Sequence, residues 1–235
     1  MKNRNIAVIL AGGVGSRLGK EQPKQFYQMY GKTIIEHTID AFEQNEGIDE
    51  IAVVSNINYI SEIHALSKKN NWKKLMKVLP GGKERYESTL AAVNAYMDEP
   101  QANLLFHDAV RPLVSQRIIN DVLDALKQYS AVNVAVPATD TIIEVDENGH
   151  LITQVPNRKY LRRGQSPQGF RQEVIAKAYQ LALQDPDFVS TEDCGTVAKY
   201  LPQERIYVVE GEEKNMKLTY SRDIYVLEEL FKWER

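Results

Sequence analysis

Cysteine is almost absent. Cys194 stands alone among 235 residues, which excludes an internal disulfide and a cysteine-rich metal site. The four histidines are scattered and form no His-Glu-x-x-His pair, so a zinc-protease type of centre is excluded too. No apolar run approaches the ~20 residues of a membrane span. The first run, residues 6–11, is too short for a secretory signal and leads into glycines and Arg17 rather than a cleavage site; a buried strand is expected there. Positive charge is not in surplus either. Lys and Arg number 29 against 32 Asp and Glu, a net charge of -3, which argues against nucleic acid or an anionic membrane as partner. The expectation is a soluble, cytoplasmic protein.

What the chain does have is a large apolar share, 43% against 26% charged residues, enough for a sizeable core. Short apolar runs alternate with helical patterns. Strands are expected at 6–10, 50–55, 76–80, 102–107 and 131–137, and helices at 33–44, 59–69, 84–97 and 115–129. Thr33 and Glu36 form the signature of a capping box at the start of the first helix. Strands apolar on both faces, each followed by a helix, predict an α/β fold with a doubly wound, mostly parallel, Rossmann-like sheet. After Pro137 the rhythm changes: "DTIIEVDENGHLITQVP" reads as two alternating strands around a turn, a β-hairpin. Helices are expected again at 173–183 and 192–200, then a strand at 205–211 and a last helix at about 222–232. One domain over residues 1–235 is expected, with an inserted β-arm at about 138–165.

"VILAGGVGSRLGKEQPKQF" (residues 8–26) carries the chemistry. Glycines followed by cations suit a phosphate, yet neither standard phosphate loop fits. The P-loop spacing fails because Val14 stands where its first glycine belongs and Glu21 follows Gly19-Lys20. The dinucleotide fingerprint fails because Leu18 precedes Gly19, and Ser55, not an acid, ends the second strand. What remains is Leu10-Ala11-Gly12-Gly13-x-Gly15-x-Arg17, then Pro23-Lys24. The glycines let the backbone present N–H groups to anionic oxygens. Arg17 adds a planar fork and Lys24 a point charge.

Three further stretches follow in order, "PGGKERYES" (80–88), "HDAVRP" (107–112) and "GQSPQGF" (164–170), and then "NMKLT" (215–219). With the first loop, which resembles that of sugar- and polyol-phosphate nucleotidyltransferases, they resemble the polyol-phosphate cytidylyltransferases, of the 2-C-methyl-D-erythritol 4-phosphate and ribitol 5-phosphate type. The resemblance covers nearly the whole chain. It implies that Leu10, Ala11, Gly12, Gly13 and Gly15 hold CTP, with Gly81, Gly82, Arg85 and Ser88 around the base. Asp108, just beyond a buried strand at the carboxyl edge of the sheet, is a candidate to orient Mg²⁺ directly or through water. It also implies that Arg111, Asp140, Thr141, Arg158, Ser166 and Lys217 surround the acceptor, with Arg17, Lys24, Lys217 and Arg158 as the catalytic cations. In that family the arm crosses to a second subunit, so a homodimer is implied. His107 is expected to be structural and Cys194 a small core residue; Thr191 and Asp193 are open between packing and pocket.

The resemblance implies transfer of CMP from CTP to a polyol phosphate, releasing pyrophosphate. The acceptor phosphate has a second pKa near 6 and is its own nucleophile near pH 7, so no base is needed. The methylerythritol enzymes usually carry Thr-Gln-Thr-Pro-Gln where this chain has Gly164-Gln165-Ser166-Pro167-Gln168 after Arg162 and Arg163. That departure favours ribitol 5-phosphate as acceptor, with methylerythritol phosphate as the alternative. A hexose-1-phosphate uridylyl- or thymidylyltransferase and a non-catalytic nucleotide sensor are the other readings weighed.

Overall fold

The structure, a computed structural model, describes residues 3–13, 23–190 and 192–233. The first strand, β1 (Asn5–Ala11), shows why a doubly covered sheet forms. Its side chains alternate between two faces: Ala7, Ile9 and Ala11 pack into one apolar cluster, Ile6 and Val8 into another. A short ribbon, β2 (Gln28–Met29) with β3 (Lys32–Thr33), leads to α1 (Ile34–Glu43), and the capping box of Thr33 and Glu36 is present. Then follow β4 (Glu50–Ser55), α2 (Ile60–Asn70), β5 (Leu75–Pro80), α3 (Arg85–Ala95), β6 (Asn103–Asp108), α4 (Gln116–Ala125) and β7 (Ala131–Pro137). The expected hairpin is β8 (Glu144–Val145) with β9 (Ile152–Gln154), antiparallel and exposed. The chain closes with β10 (Arg162–Arg171), α5 (Gln172–Ala182), α6 (Asp193–Tyr200), β11 (Ile206–Glu210) and α7 (Arg222–Trp233).

Seven strands form the main sheet in the order β11-β7-β10-β6-β1-β4-β5. All neighbours are parallel except β10, which runs antiparallel to both β6 and β7. The α1 and α4 side chains cover one face of the sheet, with Ile35, Ile39, Phe42 and Ile118 fully buried. On the other face α3, α5 and α6 bring Ala92, Ile175, Tyr179 and Val197. A third cluster seats α7 through Ile224 and Leu227 against Met29, Ile34 and Leu218.

The sequence reading contains no β10. Its ten residues include two glycines and Pro167 and no β-branched side chain, so propensity argues against a strand. Tertiary pairing overrides propensity here. The chain returns from the hairpin between two finished strands, and its ladder slips in register between Gln165 and Gly169, the segment that holds Pro167.

This topology puts a switch point at β1. From β1 the chain winds outward through β4 and β5, then recrosses to β6 on β1's other side. Ligands of open α/β sheets bind where the loops diverge beyond the carboxyl ends of such strands. In register, Leu10 lies beside Asp108 and Ala11 beside Ser55.

Candidate functional site

At that edge the backbone is tied together first. Ala109 N–H donates to the Leu10 carbonyl (3.0 Å), Gly81 N–H to the Ser55 carbonyl (2.8 Å), and Leu218 N–H to the Val110 carbonyl (2.9 Å). The loops after β1, β5 and β6 and the segment before α7 are thereby held around a cavity of about 290 Å³. It is lined by Leu10, Ala11, Gly12, Gly13, Lys24, Gly82, Arg85, Ser88, Asp108 and Lys217, all expected in the site, and also by Gln25, Lys83 and Thr219. Among the described residues its charged lining is four cations, Lys24, Lys83, Arg85 and Lys217, against Glu84 and Asp108. Such a wall attracts polyanions.

Two glycines are explained by a neighbour. A Cβ at Gly81 would lie 2.7 Å from the Ser88 Oγ and one at Gly12 would lie 3.1 Å from it. The loops of β1 and β5 therefore close on one buried hydroxyl from α3. Gln25, missed by the sequence reading, holds the glycine loop: its Nε2 donates to the carbonyls of Ala11 (2.9 Å) and Gly13 (3.1 Å). Its only signal was its place between Lys24 and Phe26. Lys24 itself donates to the Thr219 carbonyl at 2.5 Å, joining the loop after β1 to the segment before α7. Gly15 and Arg17 lie outside the described residues, as does Thr191.

Asp108 ends β6 between two cations. Arg111 Nε reaches its Oδ2 at 3.0 Å and Lys217 Nζ the same atom at 3.2 Å. Burial alone would raise the carboxyl's pKa, but Lys217, then Arg111 and Arg85, outweigh it and hold the group well below the usual carboxylate range. Asp108 is an anion at any working pH.

Behind it runs a directed chain of hydrogen bonds. Asp108 N–H donates to Ser166 Oγ (3.2 Å), and Ser166 Oγ lies 3.0 Å from His107 Nδ1. His107 Nε2 lies 3.1 Å from the Arg111 carbonyl. A carbonyl only accepts, so Nε2 carries the proton and Nδ1 accepts from the serine. Burial pushes the imidazole pKa down to about 4, which keeps this neutral tautomer. Ser166 was expected against the acceptor; the structure places its hydroxyl inside, pinning the turn from Asp108 to Arg111. His107 is structural, as expected. Arg111 likewise points inward, with Nη1 donating to the Asn215 carbonyl (2.7 Å).

Arg85 begins α3 and lines the cavity, and its Nη1 is 2.7 Å from Asp193 Oδ2. Asp193, left open between packing and pocket, is fully buried.

Arg158, Asp140 and Thr141 are not brought to this cavity. All three are exposed beside the arm, where Arg158 Nη1 donates to the Thr139 carbonyl (2.8 Å). A second cavity, about 590 Å³, shares Lys217 with the first and is lined also by Arg111, Arg163 and Gly164. A Cβ on Gly164 would meet nothing within 4 Å, so that wall is open. No cluster of three or more His, Cys, Asp or Glu able to hold a metal occurs among the described residues, and no helix among them is long and apolar enough to cross a membrane.

Residues 5–232 match the IspD family, described as 2-C-methyl-D-erythritol 4-phosphate cytidylyltransferase. The chain is 43% identical over 231 residues to a bifunctional ribulose 5-phosphate reductase/CDP-ribitol pyrophosphorylase of Haemophilus influenzae, covering 98% of this chain and 48% of that protein. The chain thus spans about half the length of that relative. It is also 43% identical over 233 residues to the 2-C-methyl-D-erythritol 4-phosphate cytidylyltransferase of Thermobifida fusca, covering 97% of this chain and 94% of that one. Among solved structures, the 4-diphosphocytidyl-2C-methyl-D-erythritol synthase of Anaerococcus prevotii aligns with a TM-score of 0.85 and 27% identity over 98% of this chain and 99% of that chain.

Proposed function

The chain belongs to the 2-C-methyl-D-erythritol 4-phosphate cytidylyltransferase family, and from that premise we propose that it transfers CMP from CTP to D-ribitol 5-phosphate. The observation that carries the reading is the cation-lined cavity at the switch point, where Lys24, Arg85, Asp108 and Lys217 meet the glycine loop. An acceptor phosphate oxygen attacks the α-phosphorus of CTP; that P–O bond forms as the bond to the β-phosphate breaks, and pyrophosphate leaves. At ~4 Å, two like unit charges repel by about 4 kcal/mol at an effective dielectric near 20. Closely placed cations offset this, and catalysis rests on alignment and electrostatics. Lys24 and Arg17 serve the triphosphate, Lys217 the acceptor phosphate beside Asp108. Glycine-loop N–H groups meet the charge that builds on the α-phosphoryl oxygens.

Asp108 suits a magnesium site. Among the described residues both its ion pairs fall on Oδ2, and magnesium commonly takes one or two protein carboxylates with phosphate oxygens and waters completing the shell. Bound with the nucleotide, Mg²⁺ would supply charge neutralisation at the phosphate oxygens.

The acceptor's polyol lies on the side of Lys217 that opens into the second cavity, where Gly164 leaves room. The named activity of the Haemophilus relative, a CDP-ribitol pyrophosphorylase, supports ribitol 5-phosphate. Equal identity to the Thermobifida enzyme favours the second reading, 2-C-methyl-D-erythritol 4-phosphate. Pyrophosphate release from CTP and Mg²⁺ with each acceptor in parallel decides between them. Release with ribitol 5-phosphate alone is expected; release with methylerythritol phosphate alone overturns that acceptor and leaves the reaction class standing. The arm supports a homodimer, because Ile143, Leu151, Ile152 and Val155 are all exposed on it, an apolar strip that a second copy would cover.

A further inference from the structure

Arg85 is unusual among the cavity's cations because its counter-charge lies behind it rather than in the cavity. Asp193 opens α6, and its carboxylate is fully buried. Its Oδ1 accepts from Thr89 Oγ1 (2.9 Å) on α3 and from Tyr179 OH (2.6 Å) on α5. Among the described residues its Oδ2 has one partner within ion-pair range, Arg85 Nη1 at 2.7 Å, and the pair is not aligned as a hydrogen bond, so neither atom has a hydrogen-bond partner among them. A buried carboxylate fixed on one oxygen by two hydroxyls from two different helices presents the other oxygen in one direction. That direction is Arg85, whose side chain remains about one-third exposed to the cavity.

We propose that Asp193 is a positioning residue for nucleotide binding: it holds the Arg85 guanidinium in place at the base of the cavity, ready for CTP. Four elements meet there, the loop after β5 and helices α3, α5 and α6, and among the described residues no second carboxylate lies within ion-pair range of Arg85. The alternative is plain packing, in which a buried ion pair only ties helices together. Such pairs contribute little net stability over an apolar isostere, so retention of a charge at this place points to use of Arg85's exposed edge. Burial opposes the guanidinium's charge, yet Asp193 and then Asp108 more than compensate and raise its pKa above the ordinary value. Arg85 therefore always presents a cation, and without Asp193 its fork would be free to swing toward Asp108, the remaining carboxylate that acts on it.

This assignment rests on the reading of the cavity as a CTP site, and the test separates the two. CTP is titrated calorimetrically, with Mg²⁺, into the full-length protein and into Asp193→Asn, which keeps an acceptor for Thr89 and Tyr179 but removes the charge. Affinity is expected to fall ~10-fold, with KM for CTP rising equally and kcat at saturating CTP staying within about 3-fold. Adding Asp193→Asn to Arg85→Ala is expected to cost nothing further. Thr89→Val, which removes one of the two hydroxyls that aim the carboxylate but leaves Tyr179 and the charge beside Arg85, is expected to lower Tm and to weaken CTP binding by less than Asp193→Asn does, about 3-fold or under. If Asp193→Asn does not fold, Asp193→Glu replaces it, with the same loss expected from a misplaced carboxylate. Undiminished CTP binding by the Asp193 variant overturns the assignment. So does an equal loss in Thr89→Val, or a further loss in the Arg85→Ala background. Failure of the unaltered protein to bind CTP overturns the nucleotide reading itself.

Discussion

Lys217 stands 3.2 Å from Asp108 Oδ2, and Lys24 reaches across to the Thr219 carbonyl, one residue beyond the segment that carries Lys217 and Leu218. The two ammonium groups thus come to one cavity from two distant segments of the chain. Neither is a core side chain, so truncation costs charge rather than packing. Lys24→Ala and Lys217→Ala are each expected to lose at least ~100-fold in turnover, about 2.7 kcal/mol of transition-state stabilisation. The fold is expected to stay intact, and pyrophosphate release is the readout; near-normal turnover in either variant removes that lysine from the mechanism. Both were legible in the sequence, because "PKQF" and "NMKLT" are local strings. Ser166 was legible as a residue but its hydrogen-bond partners were not. Its partners, His107 and Asp108, lie 59 and 58 positions away, and no local pattern reports a hydrogen bond made across a sheet.

His107 carries a pH consequence at the same scale. Burial lowers its pKa from an ordinary 6.5 to about 4. Between those values the unfolded chain binds a proton that the folded chain refuses, so stability rises with pH through this window and is lost as pH falls from 6.5 toward 4. The full interval corresponds to about 3 kcal/mol. Glu36 acts in the same sense lower down. Its burial favours protonation, but the Thr33 N–H, Asn70 and Lys69 outweigh that and bring its pKa to about 2, so its contribution is lost below the ordinary 4.5. Thermal unfolding at pH 7, 6, 5 and 4 is expected to show Tm falling across the upper window. His107→Gln should flatten that limb by about one proton while keeping the acid limb. A limb unchanged by the substitution would mean that the imidazole is protonated in the fold.

Elements divide by how much of their stabilisation is local. The parallel strands were readable because burial on both faces demands continuous apolar runs, and α1 because Thr33 and Glu36 announce its start. The strand β10 was not, and Gly169 shows why. A Cβ there would lie 2.9 Å from Leu126 Cδ1 and 3.0 Å from Val122 Cγ1, both on or just after α4 and both buried. The glycine that argues against a strand in sequence is what lets this strand pass beneath the helix. Gly169→Val is therefore expected to destabilise by about 1–3 kcal/mol through overpacking, read as a lower denaturant midpoint. An unshifted midpoint would show that α4 yields at no cost. The same strand delivers Ser166 and Gln165 to the edge of the site, so its absence from the sequence reading and the unforeseen contact of Ser166 with His107 have one cause.

At the scale of the whole molecule the open matter is where Arg158 works. In its own subunit it is exposed, bonded to the Thr139 carbonyl, and does not line the cavity that Lys217 lines. A role for Arg158 as a catalytic cation would therefore require a second copy, presented by an arm whose apolar residues are exposed. Mixing two inactive proteins tests this directly. Lys217→Ala lacks the cation of the cavity, and Arg158→Ala lacks the cation of the arm. If each site combines Lys217 of one subunit with Arg158 of the other, a mixed dimer holds one site with both defects and one intact site. Random exchange in an equal mixture makes about half the dimers mixed, so about a quarter of all sites are intact. Activity is expected to rise from near zero toward about a quarter of that of the unaltered protein as subunits exchange, and to do so only above the concentration at which dimers form. If Arg158 serves its own subunit, every site in the mixture keeps one defect and no activity returns. Ile143→Glu with Ile152→Glu on the arm adds the complementary arm: a monomer by sedimentation that still binds CTP but releases no pyrophosphate. A monomer with full turnover would show that no second copy is needed, leaving Arg158 to act within its own subunit or not at all.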